Sequence, residues 1–126
     1  MEMKSISGFT CYIKDIEKTA AFYEALGFRF GNREPETITI YLNWFSVKFL
    51  AAPKEANKEF MKEATGEPKG TGIYINIKVD DADAFYEGVV AKGLKPSSQP
   101  RDWPWGNREF VLRDPDGYKL VFFEKK

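Results

Sequence analysis

A chain of 126 residues is long enough for one compact domain with a buried core. Its 19 basic residues balance its 19 acidic ones, so net charge favours neither nucleic acid nor an anionic membrane as a partner. The absence of histidine excludes every His-based triad and every His-containing metal site, while an aromatic content of 16% exceeds ordinary core needs.

Taken in order, Ser5 to Ile13 predicts a strand with Phe9, Cys11 and Ile13 on one face and Gly8, Thr10 and Tyr12 on the other. Asp15 is a helix N-cap, followed by Ile16, Ala20 and Tyr23 at helical spacing with Phe22 and Leu26 beside them; Gly27 ends the helix. Phe28 to Asn32 starts a second strand, and Glu34-Pro35-Glu36 turns the chain. Ile38, Ile40 and Leu42 alternate with Thr39 and Tyr41 in a third strand over Thr37–Leu42. Asn43-Trp44-Phe45 bends into a fourth, Ser46–Ala51, which Pro53 stops. Lys54 to Ala64 then reads as a short amphipathic helix with Ala56, Phe60 and Ala64 on one side.

Thr65-Gly66-Glu67-Pro68-Lys69-Gly70 has the composition of a linker. Beyond it, Ile73, Ile75, Ile77 and Val79 alternate with Tyr74, Asn76 and Lys78 in the clearest strand of the chain. Asp80-Asp81 caps a helix with Ala82, Phe85, Val89 and Val90 inward, ended by Gly93. Lys95 to Gln99 is expected as a short strand. The closing hairpin runs through Asp114-Pro115-Asp116-Gly117. There Pro115 suits the first central position of a type I turn, and Gly117 can take the positive φ of a bulge. That register sets Asp114 opposite Tyr118 and puts Phe110, Leu112, Leu120 and Phe122 on one face. Glu109, Val111, Arg113, Lys119, Val121 and Phe123 take the other.

The halves share a plan. Asp15 to Asp81 is an offset of 66 residues, as is Gly27 to Gly93, and each half reads strand, capped helix, three strand candidates. Two copies of one supersecondary unit follow, each too small to bury its face alone. The expected class is α+β: two βαβββ modules in curved mixed sheets around a cup-shaped cavity, with helices outside. Module 1 spans about 5–52, a linker helix and loop 53–70, and module 2 about 71–124. The rows Phe9, Cys11, Ile13 and Ile73, Ile75, Ile77 face helices. Gly8, Thr10, Tyr12, Tyr41, Lys48, Tyr74, Asn76, Glu109, Val121 and Phe123 line the inner face. That face is either packed or a ligand cavity; its Asn, Lys and Glu would need partners if dry.

These paired modules, with Asp15-Ile16-Glu17-Lys18, Phe22-Tyr23, Leu26-Gly27-Phe28 and the closing Asp114-Pro115-Asp116-Gly117-Tyr118, resemble the vicinal oxygen chelate superfamily of glyoxalases, extradiol dioxygenases and bleomycin-resistance proteins. The stretch Trp105-Gly106-Asn107-Arg108-Glu109-Phe110 is most similar to the bleomycin-resistance branch. The resemblance implies metal ligands at four positions, and these fall on Gly8, Tyr74, Val121 and near Lys48. No metal and no other cofactor is therefore expected, and the chemistry left is binding.

Trp103-Pro104-Trp105 sets two large π faces on a proline-stiffened loop, for stacking on a flat ligand or for capping a core edge or subunit contact. The expected ligand-binding set is Tyr12, Tyr41, Lys48, Tyr74, Asn76, Trp103, Trp105, Glu109 and Phe123. Glu109 either meets a cationic or hydrogen-bonding ligand group or pairs with Arg108 or Arg113. The leading expectation is a metal-free protein that sequesters an aromatic or glycopeptide-type natural product without converting it. A metal-independent enzyme using Tyr74, Lys48 or Glu109 as acid or base, and a scaffold without small ligand, are the alternatives. The resemblance also implies a homodimer. No apolar run nears the roughly 18 residues of a membrane span. Met1-Glu2-Met3-Lys4 shows no signal-peptide pattern and Cys11 is alone, so the expected compartment is the cytoplasm, with no nucleic-acid or membrane partner.

Overall fold

The computed structural model describes residues 1–51 and 58–126. The first part of the helix expected from Lys54 falls outside these residues. The described chain forms two compact units, Met1–Glu67 and Pro68–Lys126.

In the first unit, Phe9–Ile13 forms β1, Ile16–Leu26 α1, Arg29–Arg33 β2, Thr37–Leu42 β3, Phe45–Ala51 β4 and Lys58–Thr65 α2. The sheet order is β1-β4-β3-β2, with β1 parallel to β4 and the other pairs antiparallel. Helix α1 begins where Asp15 accepts a hydrogen bond from the Lys18 amide at 3.1 Å and ends at Gly27, whose φ of 93° only glycine adopts freely. It packs on β3 and β4 through the buried Ile16, Ala20, Phe22 and Tyr23. The Tyr23 ring lies between Phe22, Phe28 and Phe49, at centroid distances of 5.0, 5.5 and 4.8 Å. Ile13, Ile38, Ile40 and Val47 complete this core.

Two expectations for this unit need correcting. The first strand starts at Phe9 rather than Ser5, because β4 offers its first parallel partner there, Val47 to Phe9. Gly8, at φ 148°, sits so close to β4 that a Cβ would stand 2.6 Å from the Ser46 carbonyl oxygen. Phe9 itself stays 46% exposed, set edge-on against Phe45.

The second unit repeats the plan with Tyr74–Lys78 as β5, Ala82–Ala91 as α3, Arg101–Asp102 as β6, Asn107–Arg113 as β7 and Lys119–Lys125 as β8. Its order, β5-β8-β7-β6, matches that of the first sheet, again with a parallel outer pair, β5 with β8. The cap is repeated too: Asp81 accepts from the Ala84 amide at 3.0 Å, and Glu124 at the end of β8 accepts from the Ala82 amide at 2.9 Å. The hairpin has the expected register, Val111 opposite Val121 and Arg113 opposite Lys119. The Asp114 carboxylate accepts from the amides of Asp116 and Tyr118, and the Gly117 amide donates to the Asp114 carbonyl. Phe110, Leu112, Leu120 and Phe122 are buried against α3, where the Phe85 ring stacks on Phe122 at 4.8 Å.

Three expectations fail here. Ile73 precedes the strand and is 55% exposed, since β8 begins pairing only opposite Tyr74. Val90 lies on the outer side of α3, 47% exposed. Lys95–Gln99 is no strand: it meets β7 through one backbone bond, Ser97 amide to Val111 carbonyl, and one side chain, the Ser98 hydroxyl accepting from the Val111 amide. Pro96 and Pro100 have no N–H with which to extend a ladder. Among the described residues no helix is long and apolar enough to cross a membrane.

Candidate ligand-binding face

Helices α1 and α3 each pack on one face of their sheets, with α2 also packed on β1, and strand alternation assigns the residues of the face opposite α1 and α3. In the first unit the rows are Thr10–Lys48–Thr39 and Tyr12–Leu50–Thr37, with Tyr41 opposite Ser46. Tyr12, Tyr41 and Lys48 therefore share one face, with Lys48 diagonal to both tyrosines.

In the second unit the corresponding rows are Tyr74–Lys119–Arg113, Asn76–Val121–Val111 and Lys78–Phe123–Glu109–Arg101. Val121 is buried at the centre; Phe123 and Glu109 are half-buried, and Asn76 and Tyr74 are exposed. Tyr74 lies one end of the sheet away from Glu109, so the structure divides these residues into two groups rather than one cluster.

The tryptophan loop is a turn of the same design as the closing hairpin. The Gly106 amide donates to the Trp103 carbonyl at 3.1 Å and the Trp103 amide to the Asn107 carbonyl at 2.8 Å. Gly117 and Asp114 make the equivalent bonds, to Asp114 and Tyr118. Trp103-Pro104-Trp105-Gly106 thus repeats Asp114-Pro115-Asp116-Gly117, with Gly106 at φ 93° and Gly117 at 95°. This turn brings its first and third side chains together. The Trp103 and Trp105 rings stack at 4.7 Å, only 10° from parallel, and the Arg101 guanidinium lies 3.7 Å over the Trp103 ring.

One ring face cannot hold both neighbours, so Arg101 and Trp105 cover opposite sides of Trp103. The expectation of two available π faces is corrected to one: the outer face of Trp105, which is 61% exposed. That ring is anchored. Its indole N–H donates to Glu109 at 3.1 Å, and the Asn107 amide donates to the same carboxylate oxygen at 3.2 Å. Glu109 forms no ion pair with Arg108 or Arg113. Arg108, on the opposite face, binds Asp83 through two nitrogens (2.9 and 3.0 Å) and Asp102 (3.2 Å), and the Arg113 Nη1 donates to the Gly117 carbonyl. Hydrogen bonds from Arg108 hold the Asp83 carboxyl below its ordinary value, and the two acids hold the Arg108 guanidinium above its own.

Sequence reasoning missed Arg101 and Asn107, which build this corner. Both carry a signal: Arg101 is two residues before Trp103 and Asn107 two before Glu109, so alternation would have placed each pair on one face. A divalent metal is a poor fit to the positions where the resemblance implies ligands. Gly8 has no side chain, Val121 is a buried hydrocarbon, and Lys48 carries positive charge. Among the described residues no three His, Cys, Asp or Glu converge. The face offers an anchored aromatic plane, a carboxylate with one oxygen already engaged, and apolar floor residues; it can stack, accept hydrogen bonds and attract a cation.

The profile of the Glyoxalase/Bleomycin resistance protein/Dioxygenase superfamily matches residues 5–122. A bleomycin resistance protein of Geobacillus stearothermophilus is 25% identical over 123 residues, covering 90% of this chain and 91% of that protein. Among solved structures, a bleomycin-binding protein complexed with bleomycin superposes with a TM-score of 0.69 at 22% identity, covering 98% of this chain and all of that one. TnmS3, an antibiotic-binding protein from Streptomyces sp. CB03234, does so with 0.75 at 22% identity, covering 100% and 99%.

Proposed function

Because the chain belongs to the glyoxalase/bleomycin resistance protein/dioxygenase superfamily, we propose that it is a binding protein of the kind its bleomycin-resistance relatives represent. It holds a flat, partly aromatic organic molecule on the sheet face opposite α3 without converting it. The observation that carries this reading is the open Trp105 ring, fixed by Trp103 stacking and the Glu109 hydrogen bond. A pre-set aromatic plane loses little freedom on binding. Trp103 acts from behind as backing, and Phe123 and Asn76 extend the floor within the second unit; Tyr12, Tyr41 and Lys48 share a face of the first unit's own sheet. Tyr74 stands at the far end of the second sheet.

Each stacked aromatic pair contributes roughly 0.5–1.5 kcal/mol beyond burial. Two or three such pairs, apolar burial and a charged hydrogen bond together reach micromolar affinity, about 8 kcal/mol. The test is tryptophan fluorescence titration with bleomycin and a panel of polycyclic antibiotics, with mass spectrometry of the recovered ligand. Quenching with micromolar Kd and an unchanged ligand is expected. A converted ligand would replace binding with catalysis, and no response to any member of the panel would remove the reading.

The assembly we infer is a homodimer in the cytoplasm, the two modules acting as one domain. Phe9, Leu42, Trp44 and Phe45 leave large apolar surface exposed around one end of the first sheet, which suits a second copy. A monomer mass by light scattering at micromolar concentration would count against it.

A further inference from the structure

At the turn end of the second sheet, about 570 Å³ of concave space is lined by Lys69, Gly70, Gly72, Tyr74, Arg113, Gly117 and Lys119, together with Pro68, Thr71 and Ile73. Three cationic side chains line it and no carboxylate does. Two of the three are held in place without a counter-ion. The Lys119 ammonium stands 4.7 Å over the Tyr74 ring, and the Arg113 Nη1 donates to the Gly117 carbonyl at 3.0 Å. Among the described residues neither has a carboxylate within ion-pair distance. The bond to Gly117 fixes the guanidinium plane while leaving Nη2 and Nε, the donors that grip an oxyanion in pairs. A Cβ on Gly72 or Gly117 would meet nothing within 4 Å, whereas one on Gly70 would stand 2.6 Å from the Tyr118 ring.

We propose that this cleft binds an anionic oxygen group, carboxylate or phosphate, through Arg113 and Lys119. The inference rests on the binding reading above and deepens it. Arg113 and Glu109 lie four residues apart on one face of β7, about 13 Å along an extended strand. Val111 and Val121 form the apolar stretch between them. The sheet face therefore runs from a cationic, acid-free end, through a valine middle flanked by Asn76, to an aromatic end where Glu109 shares its row with Lys78 and Arg101. It fits an elongated ligand whose acid group and aromatic ring stand at opposite ends.

The test compares 10-phenyldecanoate, its uncharged amide and inorganic phosphate by isothermal titration with the full chain. The wild-type protein is expected to bind the acid at least tenfold more tightly than the amide. Arg113→Gln with Lys119→Gln, checked for folding by circular dichroism, should erase that preference and leave amide affinity in place; Arg113→Lys should keep it. Trp105→Ala should weaken acid and amide alike. Phosphate binding as tightly as the acid would make the cleft's partner a free anion, and acid binding more tightly would make it the head of an organic ligand. Equal affinities for acid and amide in the wild type, or a preference that survives the double variant, would overturn the proposal. A preference that persists while Trp105→Ala changes nothing would instead remove the aromatic-face reading and leave the anion cleft standing.

Discussion

The two units share strand order, parallel outer pair and an Asp-capped helix, yet they hold their central hairpins differently. In the first, β3 and β4 are joined through Asn43 at φ 57° and Trp44, which is fully exposed. In the second, Asp114 ties the turn through two amides, and both it and Asp116 are buried. A second copy of that turn design then stacks Trp103 on Trp105. One fold thus carries an unanchored tryptophan in one copy and an anchored pair in the other. A ring fixed in advance suits a small ligand, whereas a bare apolar tip suits a large surface.

The largest effect that would break this contrast is in the cores. Phe110 and Phe49 are both fully buried. Phe110→Ala and Phe49→Ala should each cost about 3–5 kcal/mol in urea unfolding; a much smaller loss in either would mean that its unit is loosely packed.

Next come the turns. Gly117→Ala forces a Cβ into φ 95° and should cost about 1–2 kcal/mol, although nothing stands within 4 Å of the new atom. Asn43→Gly should stay within about 0.5 kcal/mol, since Asn already tolerates the left-handed region. Equal costs would show that the carboxylate-tied turn is no more demanding than the other.

The tryptophans sharpen the contrast further. Trp105→Ala should raise the Kd of any quenching ligand several-fold, while Trp44→Ala should leave it unchanged and shift the proposed dimer toward monomer mass in light scattering. The reverse pattern would exchange the roles of the two units.

The smallest expected effect is electrostatic. Arg108 bridges Asp83 at the start of α3 to Asp102 of β6. Its hydrogen bonds lower the Asp83 pKa, so this contribution to stability is complete above the ordinary value of 3.8 and is lost as pH falls through the folded-state value. Carbon-detected titration should find Asp83 low in the wild type and back in the usual carboxylate range in Arg108→Ala. The first unit's Arg33–Glu17 pair is more exposed, and its removal should be within about 0.5 kcal/mol.

The helix caps, the tight turns and the closing hairpin's register depend on neighbours in sequence, and they were legible. Asp15 and Asp81 cap their helices, Gly27 and Gly117 take positive φ, and the alternation over residues 110–122 reads out the hairpin register. Each of these is fixed within a few residues by hydrogen-bond reach and backbone sterics. Where the strands β1 and β5 begin was not legible, because each is decided by a parallel partner many residues away: Val47 for Phe9, and Lys119 for Tyr74. The exposure of Ile73 has the same non-local origin, whereas Lys95–Gln99 fails as a strand for a local reason, the missing N–H groups of Pro96 and Pro100.

The candidate site divides along that line. Sequence alternation by itself put Tyr12, Tyr41, Lys48, Asn76, Glu109 and Phe123 on the faces opposite α1 and α3, because a strand has a period of two whatever it pairs with. Only the tertiary structure decided that Arg101 and Trp105 cover the Trp103 ring, that Glu109 anchors Trp105 rather than pairing with an arginine, and that Arg113 and Lys119 share an acid-free cleft. Those outcomes depend on which side chains from separate segments meet, and stacking or hydrogen bonding between them exists only once the strands are in register.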